Sequence, residues 1–450
     1  TGLLIGIGGV SMSPLAEVLH DAGLDIRGSD MSESDNTLTL RERGIPIHIG
    51  HSAANVTDDI EFVIRTAAVH DDNPEVHEAH RRGIPVFERT QAWGALMRGY
   101  PNALCISGTH GKTTTTSMCT HIMMAAEKDP TVMIGGTLPL LHACHRVGKG
   151  NTIIMESCEY YNSFLSLNPT IAVILNIEAD HLDFFKDIED IKHSFRQFAE
   201  RVPAETGTVI ANFDDVNTMD ALRGIERKVI TFGLSPKADV YAENIMHRGS
   251  SSEFDIYHRG NLFAHATLHV PGIHNVRNAL AATAAAIVLG VSPNAVKYGL
   301  AGFEGAGRRF DYKGKFQGAD LYDDYAHHPS ELRALLDAVD TLNYQRTIVV
   351  FQPHTYSRTA KLFNDFVEQL RRPTIVYLAE IYAAREKNSI GISSADLAAQ
   401  IPGAKFYPTF AEIERELRRI ARPGDIILTV GAGDVFRIGE HLLQQSDSEN

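Results

Sequence analysis

The segment 104–116, Leu-Cys-Ile-Ser-Gly-Thr-His-Gly-Lys-Thr-Thr-Thr-Thr, constrains this chain more than any other. An apolar run that reads as a buried strand enters a turn with two glycines, and Lys112-Thr113 then opens a helix-like segment through residue 124. A strand, a tight turn and a helix leave backbone N–H groups and a helix N-terminus facing an anion. The spacing G-x-x-G-K-T is two residues shorter than the common G-x-x-x-x-G-K-[ST]. In such a cradle Lys112 reaches the β- and γ-phosphates and the Thr113 hydroxyl sits on Mg²⁺. Gly108, Thr109, His110, Gly111 and Thr114 complete the candidate phosphate loop.

A length of 450 residues implies about three domains. The net charge of −14, with no long Lys/Arg block, argues against nucleic acid and anionic membrane as partners. No apolar run is long enough to span a bilayer; the best candidate, 279–291, is short and mostly alanine. Cys105, Cys119, Cys144 and Cys158 form no C-x-x-C pair, which points to a reducing, cytoplasmic setting. The run His142-Ala143-Cys144-His145 has metal-ligating residue types but no distant second pair.

Pattern divides the chain into regions 1–98, 99–307 and 308–450. In the first, a strand over 3–7 meets the turn Gly6-Ile7-Gly8-Gly9-Val10-Ser11, a helical segment runs to about residue 22, and a strand over 25–28 leads to Asp30. A glycine turn followed about twenty positions later by an acid is a βαβ unit of the dinucleotide-binding kind. Ser11 stands where that fingerprint has glycine, and Pro14 suits a first helical turn. Gly6, Gly8, Gly9, Ser11 and Asp30 are the candidates for a ligand with a pyrophosphate. Further strands are expected over 61–65 and 84–87.

In the second region a strand over 152–155 ends at Glu156, and one over 171–175 ends in Asn176-Ile177-Glu178-Ala179-Asp180-His181. Both put polar groups just past strand carboxyl ends, where open α/β sheets bind ligands. Thr113 and Glu156 offer hard oxygens for Mg²⁺, and His181 can serve a second ion or the γ-phosphate. Residues 240–270 alternate as an antiparallel section does. Pro271-Gly-Ile-His-Asn-Val-Arg-Asn278 opens an Ala-rich helix. Asn275 and Asn278, three apart, suit either the edges of adenine or a plain helix cap. The glycine-rich run 302–307 reads as a hinge, and an arginine beyond it can close on a transferring phosphate. The third region repeats strand–loop–helix units: strands over 319–322, 347–351, 374–378 and 426–430, the first leading to Asp324-Tyr325 and the second to His354 and Arg358. The polar tail from 444 is expected to fray.

Taken in order, the motifs at 6–9, 108–114, 176–181, 271–278, 307–310, 323–329 and 352–358 resemble those of the Mur ligase family, over nearly the whole chain. The resemblance implies an α/β fold of three domains: a Rossmann-like UDP-sugar domain, a central P-loop ATPase-like α/β domain and a C-terminal Rossmann-like domain for the amino acid. It implies that ATP phosphorylates the lactyl carboxylate of UDP-N-acetylmuramate and that L-alanine attacks the acyl phosphate, in a monomer or homodimer. It implies contact of Lys112 with phosphate, Mg²⁺ (two ions) at Thr113, Glu156 and His181, adenine at Asn275 with Asn278 beside it, and completion of the nucleotide site by Arg309 and Asp324. Tyr325, His354 and Arg358 then face the amino acid. Some relatives carry a carbamoylated lysine after the histidine; Lys186 and Lys192 are the nearby lysines. The competing readings are a member that attaches a preformed peptide, a non-catalytic nucleotide-binding regulator of the same fold, and a dinucleotide oxidoreductase.

Overall fold

The computed structural model describes residues 1–66, 68–384 and 386–447. Three sheets follow one another along the chain. The first is wholly parallel, with strands in the order Ile47–Ile49, Ile26–Asp30, Gly2–Ile5, Phe62–Arg65 and Val86–Glu88. Its central strand Gly2–Ile5 is buried along its whole length, as a strand covered on both faces must be. The strand expected over 3–7 stops at Ile5 because the backbone turns at Gly6, where φ is +77°.

The central sheet has ten strands. Its parallel middle runs Lys228–Gly233, Thr208–Asn212, Ile171–Ile174, Asn102–Ser107, Thr152–Glu156, Thr131–Leu138. The expected antiparallel section is present as Val240–Arg248, Ser251–His258 and Asn261–Leu268 at one edge. Period-two alternation in Asn102–Ser107 sends Leu104 and Ile106 into one core and Ala103 and Cys105 into another. On the first face lie Lys112–Ala125, Pro293–Ala301 and the helix Ile273–Val288, whose alanines allow close approach to the sheet. On the second lie Phe195 and Phe198 of Ile188–Glu200.

That second core continues into the first domain. Helix Arg89–Met97 buries Trp93 and Met97 against it, and Met97 Sδ accepts the Cys105 thiol at 3.9 Å. Gly94 lies so close that an added Cβ would stand 1.9 Å from the Ser166 carbonyl oxygen. The seam near residue 98 is therefore a packed one.

The third sheet runs Asp311–Phe316, Ala319–Asp324, Asp425–Val430, Arg346–Phe351, Ile375–Leu378, Lys405–Phe406. Only its first strand is antiparallel. The last helix, Phe436–Asp447, runs past the point where fraying is expected; 448–450 lie outside the described residues. Ser107, Glu156, Asn212, Asp324 and Phe351 all end parallel strands, so the carboxyl edges of the second and third sheets meet.

Helix Pro293–Ala301 reaches Lys112–Ala125 through Gly299, where an added Cβ would stand 2.5 and 2.7 Å from Ile122 Cα and N. Alanine is the better helix former by about 1 kcal/mol, but backbone cannot step aside as a side-chain tip can. Gly299→Ala is expected to destabilise the protein by about 1–3 kcal/mol, read as a lower midpoint in denaturant unfolding.

Candidate active site

The phosphate loop forms because only glycine fits its two ends. Gly108 has φ +146° and an added Cβ would stand 2.8 Å from Leu175 Cβ; Gly111 has φ +83° and would meet Asn278 Oδ1 at 2.7 Å. Asn176 fixes the loop between them, accepting the His110 N–H at 2.8 Å and donating to the His110 carbonyl at 3.1 Å. No side chain caps the helix Lys112–Ala125, which leaves its first-turn N–H groups to an anion. The Lys112 ammonium folds back over the loop, donating to the Gly108 carbonyl at 2.5 Å and meeting Glu159 at 3.3 Å. Burial opposes its charge, but Glu159, with Cys158 and Glu156, raises its pKa above the ordinary lysine value.

Glu156 ends its strand beside the loop. Its Oε1 accepts the Thr113 hydroxyl at 3.0 Å and its Oε2 the Gly135 N–H at 2.6 Å. An octahedral Mg²⁺ with bonds of about 2.0–2.1 Å holds adjacent oxygens at about 2.9 Å. The Thr113–Glu156 spacing matches that edge, so this pair fits the ion. His181 lines the same cavity of about 410 Å³ as Lys112, Thr113, Glu156, Arg309 and Tyr325. Its nearest acids are others: Nε2 is 3.7 Å from Asp180 and 3.8 Å from Glu159, and its ring stacks on Tyr160. The structure thus sets His181 of that cavity beside Glu159 and Asp180. Neither Lys186 nor Lys192 lines the cavity; Lys192 is held by Glu189 and Asp220.

A neighbouring cavity of about 590 Å³ is lined by Gly111, Thr114, Asn275, Asn278, Arg309 and Asp324 among others. Gly272 caps the helix Ile273–Val288, so Asn275 is no helix cap; its amide donates to the Pro271 carbonyl at 2.7 Å. Asp324 accepts the N–H groups of Phe310 and Ala326, both at 2.8 Å, and burial pushes its pKa up to about 6 against the pull of Arg309. Arg309 lines both cavities, 3.6 Å from Glu331 and over the Tyr325 ring. The residues flanking it, Arg308 and Phe310, take φ of +59° and +49°. Left-handed backbone thus occurs both inside the run 302–307, at Gly305 with φ +121°, and just beyond it.

The second and third domains are joined by His110 and Arg358, both candidates from the sequence, and by Glu331, His328, Ser330 and Lys361, which no local pattern marks. His110 Nδ1 is 3.3 Å from Glu331 and its Nε2 3.4 Å from Glu178. His328 Nε2 donates to the Ala179 carbonyl at 3.2 Å, Ser330 Oγ donates to Glu178, and Lys361 donates to the Leu182 carbonyl at 2.5 Å. Arg358, expected to be open to an amino acid, is instead paired with Asp180: its Nε and Nη2 both lie 3.0 Å from Asp180 Oδ1, and its Nη1 reaches His354 Nδ1 at 3.1 Å. Burial works against the Asp180 charge, but Arg358 and nearby imidazoles hold its carboxyl well below the ordinary range. His354 and His327 go the other way: burial, with Arg358 beside them, lowers them to about 4 and about 3, so both are neutral at pH 7.

In the first domain the glycine turn differs in detail from the expectation. The Gly6 N–H donates to the Ser29 carbonyl, Gly8 to Asp30 Oδ2 and Gly9 to the Gly6 carbonyl. These three N–H groups already have protein acceptors, and Gly8 is needed for space: an added Cβ there would crowd Thr37, Ser34 and Asp30 within 3.0 Å. The N–H groups of Val10 and Ser11 have no acceptor among the described residues. Farther along, His145 meets Glu17 at 3.3 Å across the seam between the first two domains, and 142–145 forms no metal cluster among the described residues.

Three domain models match this chain in succession: the Mur ligase family catalytic domain over 4–101, the Mur ligase middle domain over 106–286 and the Mur ligase glutamate ligase domain over 308–433. The chain belongs to the Mur ligase family. Within it, the chain is 47% identical over 446 residues to the UDP-N-acetylmuramate–L-alanine ligase of Agathobacter rectalis, spanning 98% of this chain and 97% of that one. The crystal structure of the UDP-N-acetylmuramate-alanine ligase of Thermotoga maritima superposes over the whole of both chains, with a TM-score of 0.80 at 29% identity. A murein peptide ligase from Psychrobacter arcticus shares the fold, with a TM-score of 0.69 at 23% identity and 98% of each chain covered.

The His110 imidazolium sits between a carboxylate of its own domain and one of the next. Burial opposes its charge, but Glu331 and Glu178 raise its pKa from 6.5 to about 9. A raised histidine contributes in full below its ordinary pKa, and the contribution is lost as pH rises through the shifted value. The contact between the second and third domains is therefore expected to loosen between pH 6.5 and 9. Small-angle scattering should show the radius of gyration rising over that window in the native protein, and a smaller rise in His110→Asn, which lacks the titrating group.

Proposed function

We propose that this chain joins L-alanine to the lactyl carboxylate of UDP-N-acetylmuramate at the expense of ATP, giving UDP-N-acetylmuramoyl-L-alanine, ADP and phosphate for peptidoglycan precursor synthesis. The observation that carries the reading is one cavity shared by the phosphate loop, Glu156 and the C-terminal Arg309, Tyr325 and His327. The relatives named above, similar along their whole length, support the choice of substrates. We assign residues 1–98 to the UDP-sugar, 99–307 to ATP and 308–450 to the amino acid. All four cysteines are free, which accords with a reducing cytoplasm.

A carboxylate is a poor electrophile and its oxyanion a poor leaving group; phosphorylation mends both faults. In the first step a lactyl carboxylate oxygen attacks the γ-phosphorus and ADP departs. Lys112 turns from the Gly108 carbonyl to the transferring phosphate, and Arg309 meets the same charge from the other domain. Thr113 and Glu156 would hold a Mg²⁺ and His181 would serve a second one, and such ions when bound would neutralise charge on the phosphates. The nucleotide base lies by Asn275 and Asn278, and Asp324 closes that site. In the second step the amine of L-alanine attacks the acyl carbon, and the tetrahedral intermediate expels phosphate. The amine must shed a proton before it attacks, and the lowered pKa values of His327 and His354 make neither imidazole a base for that step.

Phosphate release with UDP-N-acetylmuramate and each amino acid in turn tests the whole reading. L-Alanine should support the fastest release and a preformed peptide little, and Lys112→Ala should remove nearly all of it while the protein stays folded, a loss of several kcal/mol at the transition state. Rapid release with the peptide alone would overturn the choice of amino acid; normal release by Lys112→Ala would overturn the role of the loop.

The amino acid's carboxylate must compete with Asp180 for the Arg358 fork. Arg358→Met is expected to raise the KM for L-alanine strongly and to leave positional isotope exchange in labelled ATP, measured without amino acid, largely intact. Loss of exchange alone would assign Arg358 to the domain contact.

A further inference from the structure

Arg89 opens the helix at the seam of the first two domains, and the reaction derived above gives it no part. Its guanidinium is half-buried and its Nη1 donates to Ser11 Oγ. Among the described residues it has no carboxylate at ion-pair distance. The adjacent Glu88 is taken by Arg65, whose Nε donates to it at 2.9 Å. Arg65 itself has acids on two sides, Glu88 and Asp71. Burial pushes the Arg89 pKa below the ordinary arginine value, with Cys158 and Glu88 opposing it. A guanidinium carries five N–H donors in a fixed fork, and here one of them has a partner.

The surroundings of Ser11 are donors as well. The N–H groups of Val10 and Ser11 lack acceptors among the described residues, and helix Ser13–Asp21 starts two residues later without a side-chain cap. Two backbone donors, a hydroxyl and the arginine that touches it therefore belong to residues 10–11 and their immediate contact. What satisfies them all is an anion with several acceptor oxygens and more than one charge. A diphosphate has both; a single carboxylate has neither the charge nor the span.

We propose that Arg89 clamps the diphosphate of the UDP-sugar against the turn 6–11, with Ser11 Oγ holding the fork in place before the ligand arrives. The proposal rests on the reading of the first domain as the UDP-sugar domain. It gives a reason for serine at position 11, where the dinucleotide fingerprint has glycine: the hydroxyl positions the arginine that supplies the missing charge.

The test is calorimetric titration of the full chain with UDP, UDP-N-acetylglucosamine and UDP-N-acetylmuramate. Three ligands separate the shared diphosphate from the lactyl carboxylate, which only the last one carries. Arg89→Met should weaken all three alike, by about 10- to 100-fold, the range for a lost charge-assisted hydrogen bond. Arg89→Lys, which keeps charge but loses the fork, should fall between Arg89→Met and the native protein. Arg98→Met, at the exposed far end of the same helix, should bind like the native chain. In steady-state assays the KM for UDP-N-acetylmuramate should rise in both Arg89 variants while the KM for ATP and for L-alanine stays put. Native-like binding of all three ligands by Arg89→Lys and Arg89→Met would overturn the proposal, and should Arg89→Met fail to fold, native-like binding by Arg89→Lys alone would do so. A loss confined to UDP-N-acetylmuramate would overturn it too, by moving Arg89 to the lactyl carboxylate. Failure of the native protein to bind any of the three would instead sink the UDP-sugar reading beneath it.

Discussion

The third domain is held over the phosphate loop by charges that reach each other only when the two domains touch. Glu178 and Glu331 come from different domains and share one imidazolium, that of His110. Asp180 and Arg358 come from different domains and are both nearly buried. A buried ion pair gains little over well-packed apolar groups, because each ion has left water; separating its partners inside the protein is what costs heavily. Such pairs are poor glue and good registers. The segment 178–182 of the central domain receives Ser330, His328, Arg358 and Lys361 in sequence, so the third domain has one way to sit on it.

That register explains why catalytic candidates from two sheets share one cavity. Glu331 lines both the nucleotide cavity and the smaller one, and it holds Arg309 as well as His110. Lys112, without phosphate, rests on the loop carbonyls and on Glu159, a buried acid whose second oxygen has no hydrogen-bond partner among the described residues. The ammonium therefore stays charged and near its place of use, and small movements suffice to transfer it to a ligand.

The elements with a strong local pattern are legible in the amino-acid sequence itself. The strand–turn–helix at 102–125, the acid at the end of Thr152–Glu156 and the antiparallel excursion from 240 each follow from periodicity and a few glycines. What sequence cannot supply is the partner of a side chain distant along the chain. His110 and Glu331 are far apart in sequence, and nothing local to either names the other. The glycines at 6 and 8 show the same thing: their N–H groups look free until Ser29 and Asp30 arrive beside them. Arg358 resembles an open fork until Asp180 is placed against it. Glu159 is visible as an acid after Glu156, but its burial under Lys112 depends on packing.

Arg308 and Phe310 bracket Arg309 in the left-handed region, where a residue with a Cβ costs about 1–3 kcal/mol. Arg308 is kept there by Asp323 and by the carbonyls of Gly431 and Gly433. Its strained backbone is thus pinned from within the third domain. A ligase that forms a new amide must also part with three products, and parting requires the joint between the domains to open. Arg309 sits next to a residue anchored inside the third domain, so it leaves the phosphate loop when that domain does. Release of products and withdrawal of that arginine are then a single movement.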